Sequence, residues 1–309
     1  MIFFISTFFS ILPILVYLLL IKLADKFNRF TFPLLFTSIL WGTLGATLLT
    51  FTAGSIIYKI SFHENYFQLA RYSETVFFSP VIEEFTKGIF LFFIMSNKTC
   101  HNKTDGMTYG GAIGFGFSAT ENFLYYLTYG SNSNDLVFLI IIRTFFVAIM
   151  HCTATAALGI SIGYSKFKRG IKKLLIPAAG LISSIFIHFA WNSAISFYDA
   201  AIWGFISMII IAAIFIFVYV LSVFNDRKMI IKEIIDEVSK GYLSVEQIAF
   251  LNSPVNSYKS RTDKKRQRNL LHTAASLAFN KMYYNHSEGT EKYYYEKEIE
   301  KNRFIIKEC

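Results

Sequence analysis

Uncharged apolar runs of about twenty residues set the terms for any fold of this chain. Residues 2–21 and 202–223 contain no Asp, Glu, Lys or Arg. At about 1.5 Å of rise per residue, a helix of that length crosses the roughly 30 Å hydrocarbon core of a bilayer. Backbone N–H and C=O groups find no water at that depth, so a spanning segment must be a helix or part of a closed barrel. The runs are continuous rather than alternating, which selects helices. Composition agrees: 54% of the 309 residues are hydrophobic, 17% are charged, and the charges are gathered into short islands. The fold class expected is all-α, a polytopic transmembrane helix bundle that passes many times through the cell (cytoplasmic) membrane.

Hydropathy predicts about seven spans, near 2–21, 31–57, 79–96, 107–127, 136–163, 174–197 and 202–223. The first link carries Lys22, Lys26 and Arg29, the third Lys98 and Lys103, and the fifth Lys166, Lys168, Arg169, Lys172 and Lys173. The second balances Lys59 and Arg71 against Glu64 and Glu74, while the fourth and sixth hold no Lys or Arg. Basic links stay on the cytoplasmic side, so the N-terminus is expected outside and the C-terminus in the cytoplasm. The first run follows no basic residue and precedes no small-residue cleavage pattern, so it reads as a retained span. Cys100, Cys152 and Cys309 are too few and too scattered for a disulfide framework or a CxxC metal site.

Residues 1–223 thus form the membrane domain, and 224–309 a polar, basic cytoplasmic tail. In the tail Met229, Ile230, Ile234, Ile235 and Val238 recur at helical spacing, with Gly241 as a stop. Ser244 and Gln247 have the spacing of a capping box. Lys259, Arg261, Lys264, Lys265, Arg266 and Arg268 form a basic patch. Such a patch suits solvent or anionic lipid better than nucleic acid.

Ionisable groups inside the bilayer are costly, face a bundle interior and mark function. Span three opens Pro80-Val81-Ile82-Glu83-Glu84-Phe85-Thr86-Lys87; span four carries Glu121 and Asn122, span five Arg143 and His151, and span six His188 and Asn192. Counted from the outer boundary, Glu83 and Glu84 lie about 6–8 Å deep, Glu121 about 9 Å, Arg143 about 10 Å and His188 about 13 Å. His151 lies deeper, at about 22 Å. Most of these groups therefore share the outer half of the membrane. Lys87 follows Glu83 by four residues and Glu84 by three, so it reaches either carboxylate. The two glutamates project about 100° apart, so one faces the reaction while Lys87 or a neighbouring helix fixes the other. His188 and Asn192 share a face, where they could polarise a carbonyl or hold a water. Three glutamates against Lys87 and Arg143 leave one negative charge for a proton, a His cation or a metal to balance.

These residues resemble the PrsW family of intramembrane proteases, within the superfamily of CAAX-processing and bacteriocin-processing membrane proteases. Glu83-Glu84-Phe85-Thr86-Lys87 is similar to its EExxK motif, and Phe117 with Glu121 to its FxxxE core. Arg143 and His151 are similar to the third motif, and His188-Phe189-Ala190-Trp191-Asn192 to the closing HxxxN. Four motifs in order on successive spans, over residues 75–195, are far more specific than EExxK alone. The resemblance implies an endopeptidase that cleaves a membrane-anchored protein, in the best-known case an anti-sigma factor. It implies Glu83 or Glu84 as general base and His188 or His151 as holder of the water or of a metal. Asn192 would then support the oxyanion, with Glu121 a further site residue. The metal set it suggests is Glu83, His151 and His188, for a divalent ion such as zinc. No HExxH occurs, so metal-free water activation stays open beside it.

Two other readings take the same residues differently. A catalytically inert scaffold of the same superfamily would keep the fold without the reaction, and an ion- or proton-coupled transporter would also hold carboxylates in the membrane. No internal repeat and no matched pair of broken spans supports the transporter.

Overall fold

A computed structural model describes residues 2–24, 30–61, 74–97, 100, 102–130, 133–244 and 261–308. Among the described residues the chain is helical throughout, with no strand. Helix α1 is Ile2–Ala24. Helix α2 joins Phe32–Leu40, a π-helical segment Trp41–Ala46, and Thr47–Ser61. Helix α3 is Ser79–Ser96, led in by a π-helical Glu74–Phe78. Helix α4 is Lys103–Tyr129. Helix α5 joins Ser133–Ile142, a π-helical Arg143–Val147, and Ala148–Ser165. Helices α6, Lys172–Ser196, and α7, Tyr198–Ser239, follow. Helices α8, Arg261–His286, and α9, Gly289–Glu308, close the chain.

A helix thus stands at each of the seven positions where hydropathy places a span. Among the described residues, five segments are long and apolar enough to cross a membrane: Ile2–Ala24, Phe32–Ile56, Asp135–Ser165, Lys172–Ser196 and Asp199–Ser239. The two left out, α3 and α4, are polar for a reason visible in the packing. Helix α3 carries Glu83, Glu84 and Lys87, and α4 is buried along most of its length. Helix α4 also begins earlier than the predicted 107. The Asn102 side chain accepts from the backbone N–H of Thr104 and Asp105, and the Asp105 carboxylate accepts from the Asn102 N–H. This capping box satisfies donors that the first turn leaves bare.

Glycine lets α4 and α5 approach backbone to backbone. A Cβ built on Gly106 would lie 1.9 Å from the Gly159 carbonyl oxygen, and one on Gly114 2.3 Å from the His151 carbonyl oxygen. On another face of α4, a Cβ on Gly116 would lie 2.4 Å from the Ile39 carbonyl oxygen of α2. Small residues at such spacing bring helices together where lipid offers no hydrophobic drive. Gly110 and Gly111 are packed as closely, the first against the Thr155 carbonyl and the second against the Tyr17 hydroxyl.

The chain divides into two compact units, Met1–Ile21 with Phe32–Tyr219, and Lys22–Thr31 with Val220–Cys309. The second has its own core, in which Ile230 and Ile234 of α7 pack with Leu270, Leu271 and Phe279 of α8 and Ile299 of α9. Met229 and Val238 border that core, whereas Ile235 is exposed. The helical run in the tail is therefore the end of α7 rather than a separate short helix. Gly241, at φ 72°, follows the last turn in the left-handed region where a Cβ is penalised. Lys281 bridges Glu233, Asp236 and Glu237, and Arg303 grips Glu237 through Nε at 2.6 Å and Nη2 at 2.9 Å. Burial works against the charged form of Lys281, but hydrogen bonds to these carboxylates outweigh it and hold its pKa above the ordinary lysine value. Gln247 of the expected capping box and Lys259 of the basic patch lie outside the described residues, as do Lys26, Arg29, Glu64, Arg71, Lys98 and Cys309.

Candidate active site

Helices α3, α4, α5 and α6 each bring an ionisable group to one buried cluster. Glu84, on the face of α3 turned to α5 and α6, is wholly buried. Its Oε1 accepts from Lys87 Nζ at 2.6 Å and His188 Nδ1 at 3.0 Å. Its Oε2 accepts from Ser184 at 2.7 Å and Thr155 at 3.2 Å. Four donors on two oxygens leave this carboxylate little room to bind anything else. Glu84 is therefore the fixed glutamate of the pair.

Glu83 differs on each point. Its Oε1 accepts from Ser79 at 2.7 Å, while its buried Oε2 has no hydrogen-bond partner among the described residues. The nearest cationic or imidazole atoms to Oε2 are Lys87 Nζ at 3.6 Å and His188 Nε2 at 3.8 Å. A buried carboxylate oxygen left unpaired is costly, and native structures seldom keep one without a purpose. Glu83 also lines a cavity of about 720 Å³, together with Glu121 and Phe117.

The other half of the cluster is built on α4 and α5. Glu121 Oε1 pairs with Arg143 Nη2 at 3.0 Å, and its Oε2 accepts from His151 Nε2 at 2.8 Å. Arg143 is the first residue of the π-helical segment in α5. There its Nε donates to Asn122 Oδ1 at 2.9 Å and its guanidinium lies 3.6 Å over the Tyr125 ring. Asn122 in turn donates to the Arg143 carbonyl and to Ser118 Oγ, both at 3.1 Å. Single π turns inside α-helices are frequent at functional sites, where the extra residue redirects the side chains around it.

Lys87 joins the halves, its Nζ lying 2.9 Å from His151 Nδ1 and 4.1 Å over the Phe117 ring. The partners assign the tautomers: His151 carries its proton on Nε2, toward the Glu121 carboxylate, and His188 carries its on Nδ1, toward Glu84. That leaves a lone pair on His188 Nε2 facing Glu83 Oε2, and one on His151 Nδ1 facing Lys87. The two rings meet edge to face, 4.9 Å apart. Among the described residues, ligand atoms of Glu83, His151 and His188 lie within 4.8 Å of one another, near enough to hold one metal ion. Two of these donors, Glu83 Oε2 and His188 Nε2, are available as they stand. His151 becomes a ligand only when Lys87 turns wholly to Glu84.

Asn192 Nδ2 donates to the Thr75 carbonyl at 3.0 Å, so the carboxamide also ties α6 to the segment ahead of α3. Trp191 and Tyr126 are packing aromatics, the first stacked on Phe146 and the second buried with its hydroxyl on Thr144. Tyr125 carries the Arg143 guanidinium over its ring. Sequence reading missed Ser79, Thr155 and Ser184. Each stands four residues from a motif residue (Glu83, His151 and His188), one turn away on the same helical face.

The sequence model of a family described as "PrsW family intramembrane metalloprotease" matches residues 31–222, well over half of the chain. The chain belongs to the PrsW family. A relative named Protease PrsW, from Oceanobacillus iheyensis, is 31% identical over 150 residues, covering 48% of this chain and 65% of that protein. The chain thus spans somewhat less than two-thirds of the length of that relative. No solved structure matches. Every residue of the buried cluster falls inside the span matched to the PrsW model.

Proposed function

We propose that this PrsW-family chain is an intramembrane endopeptidase that hydrolyses a peptide bond of a membrane-anchored protein, with Glu83 as the carboxylate that activates water. The observation carrying this reading is the buried Oε2 of Glu83, without a hydrogen bond among the described residues, on a side chain that lines the cavity and 3.8 Å from His188 Nε2. A water between these acceptors can donate a proton to each, which aims its oxygen at whatever the cavity holds. Glu83 Oε2 takes one proton as that oxygen adds to the scissile carbonyl. The same carboxyl then delivers it to the departing amine. Glu84 keeps Lys87 and His188 in place, and Arg143 with Glu121 keeps His151 in place. Lys87, the one cation within reach of both glutamates and His151, is placed to stabilise the oxyanion, the role the family resemblance would give to Asn192.

The donor set of Glu83, His151 and His188 fits a divalent metal such as zinc, because it offers an unpaired carboxylate oxygen and two imidazoles. When bound, such an ion lowers the pKa of its water toward about 7.

In the membrane we read seven spans, N-terminus outside and C-terminus cytoplasmic, which puts the cluster in the outer half of the cell membrane. The substrate is a membrane-anchored protein cut near its outer face, of the anti-sigma-factor kind, and the basic tail leans on anionic lipid of the inner leaflet.

The test is co-expression of doubly tagged single-span membrane proteins with wild type, Glu83→Gln and His188→Ala. The expected outcome is a cleaved fragment with wild type only, falling by about 10²-fold or more in the variants. Equal processing in all strains would dismiss the site, and no processing in any strain would favour an inert scaffold.

A further inference from the structure

We propose that the cavity between α2, α3 and α4 is the channel in which an unwound stretch of the substrate lies, with its backbone N–H groups received by hydroxyl oxygens of α2 and its side chain passing Gly54. This rests on the proteolytic reading above and adds where the substrate lies and what limits it.

The cavity, about 720 Å³, falls in the range of sites that enclose a ligand (roughly 300–1,000 Å³). Its mouth, with Ser55, Thr128 and Tyr129 exposed, lies at the end of the bundle where α2 and α4 finish and α3 begins. Its base is Glu83, over nine-tenths buried, with the unpaired Oε2 already described. A transmembrane helix hides its scissile carbonyl behind side chains and within its own hydrogen bonds, so cleavage requires a stretch of it to unwind. The amide groups freed by unwinding are costly in apolar surroundings unless the protein receives them.

The α2 wall can receive them. Thr47 donates its hydroxyl proton to the Gly42 carbonyl at 3.0 Å, and Ser55 donates to the Phe51 carbonyl at 2.8 Å. With their protons so engaged, both hydroxyl oxygens keep lone pairs that can accept, and both residues line the cavity. An extended peptide presents N–H donors every second residue along one edge, which is the complement of such a wall. Thr50, whose Oγ1 lies 2.9 Å from Thr86 Oγ1, continues the same polar face toward α3.

Gly54 lies on this wall between Thr50 and Ser55, and a Cβ built there meets no atom of the described residues within 4 Å. Added bulk there is expected to enter the channel. The spot is therefore a gauge of what may pass.

The experiment follows cleavage of one doubly tagged single-span protein by the full chain carrying Gly54→Ala, Gly54→Leu or Gly54→Phe. Cleavage should fall in that order, roughly tenfold or more for Gly54→Phe, while melting in detergent stays at the wild-type temperature. The loss should appear as a higher KM, because the reacting groups are untouched. A photo-crosslinking residue at Ser55 in a Glu83→Gln background should capture the same tagged protein. Wild-type cleavage by Gly54→Phe would overturn the channel and leave the protease standing. If wild type cleaves none of the panel, the protease reading fails, and the crosslink decides the channel: capture of the tagged single-span protein sustains it, and no capture overturns it.

Discussion

At the scale of single residues, Glu83 and Glu84 are neighbours in sequence with opposite duties. Glu84 is saturated by Lys87, His188, Ser184 and Thr155, so its loss damages structure first. Removing its cation makes the same point from the other side. Lys87→Met leaves a wholly buried carboxylate unbalanced, which costs about 3–5 kcal/mol, and melting in detergent should register that loss. Glu83→Gln places an amide where one oxygen already had no partner, so the protein should melt near the wild-type temperature while cleavage disappears. A Lys87→Met variant that melts like wild type would break this division of labour. Metal binding gives a further readout independent of turnover. His188→Ala should weaken zinc uptake by the purified chain, measured by calorimetry, by more than the roughly 10–100-fold typical of a lost outer-sphere partner. Unchanged uptake would remove His188 from the ligand set. The charged part of this site was legible in sequence because a charge inside an apolar run stands out. The hydroxyls of Ser79, Thr155 and Ser184 were not, since serine and threonine commonly turn back to their own helix carbonyls, as Thr7 does to Phe3. Asn192 shares a helical face with His188, and spacing gives direction only to within a turn, so its bond to the Thr75 carbonyl was not legible either.

At the scale of elements, the site depends on how closely α4 and α5 approach. Gly106 and Gly159 face each other so tightly that a Cβ on either would come within about 2 Å of the opposite carbonyl oxygen. Gly106→Ala should therefore force the helices apart at about 1–3 kcal/mol, visible as a lower melting temperature. Because His151 on α5 must reach Glu121 on α4 at 2.8 Å, cleavage should fall with it. Gly54→Ala is the matched control, since the same substitution there meets open space and should leave melting unchanged. If Gly106→Ala melts like Gly54→Ala, the glycine contact is not what sets the spacing. Element positions were readable because hydrophobic runs and charged links are set by the bilayer, a solvent whose thickness is fixed in advance. Among the described residues three π-helical segments occur, at Glu74–Phe78, Trp41–Ala46 and Arg143–Val147, and they were not readable. Their Gly, β-branched and aromatic residues weaken a helix but do not specify an i to i+5 register, and the hydropathy pattern runs through them unbroken.

At the scale of the whole molecule, the open quantity is how many times the chain crosses the bilayer. Apolarity alone selects five helices and leaves out α3 and α4. Apolarity, however, measures what faces lipid, and these two helices turn their charges inward. Lys87 and Glu84 are wholly buried, and exposed positions on α3 are apolar, as with Val81, Phe85, Ile89 and Phe93. At about 1.5 Å per residue, the 18 residues of α3 reach about 27 Å and the 27 of α4 about 40 Å, each enough to cross. The helices that meet lipid broadly are instead α1 and α7, with 17% and 11% of their most apolar stretches buried. The two counts make different predictions at one place. With seven spans and the N-terminus outside, the C-terminal end of α3 lies in the cytoplasm and that of α4 outside. With five, both ends lie outside. Asn97 and Tyr129, exposed residues at those two ends, carry the test. In a cysteine-free background, Tyr129→Cys on intact cells should react with a membrane-impermeant maleimide, whereas Asn97→Cys should react only after lysis. Labelling of both on intact cells would reduce the crossings to five and take α3, with Glu83, out of the bilayer.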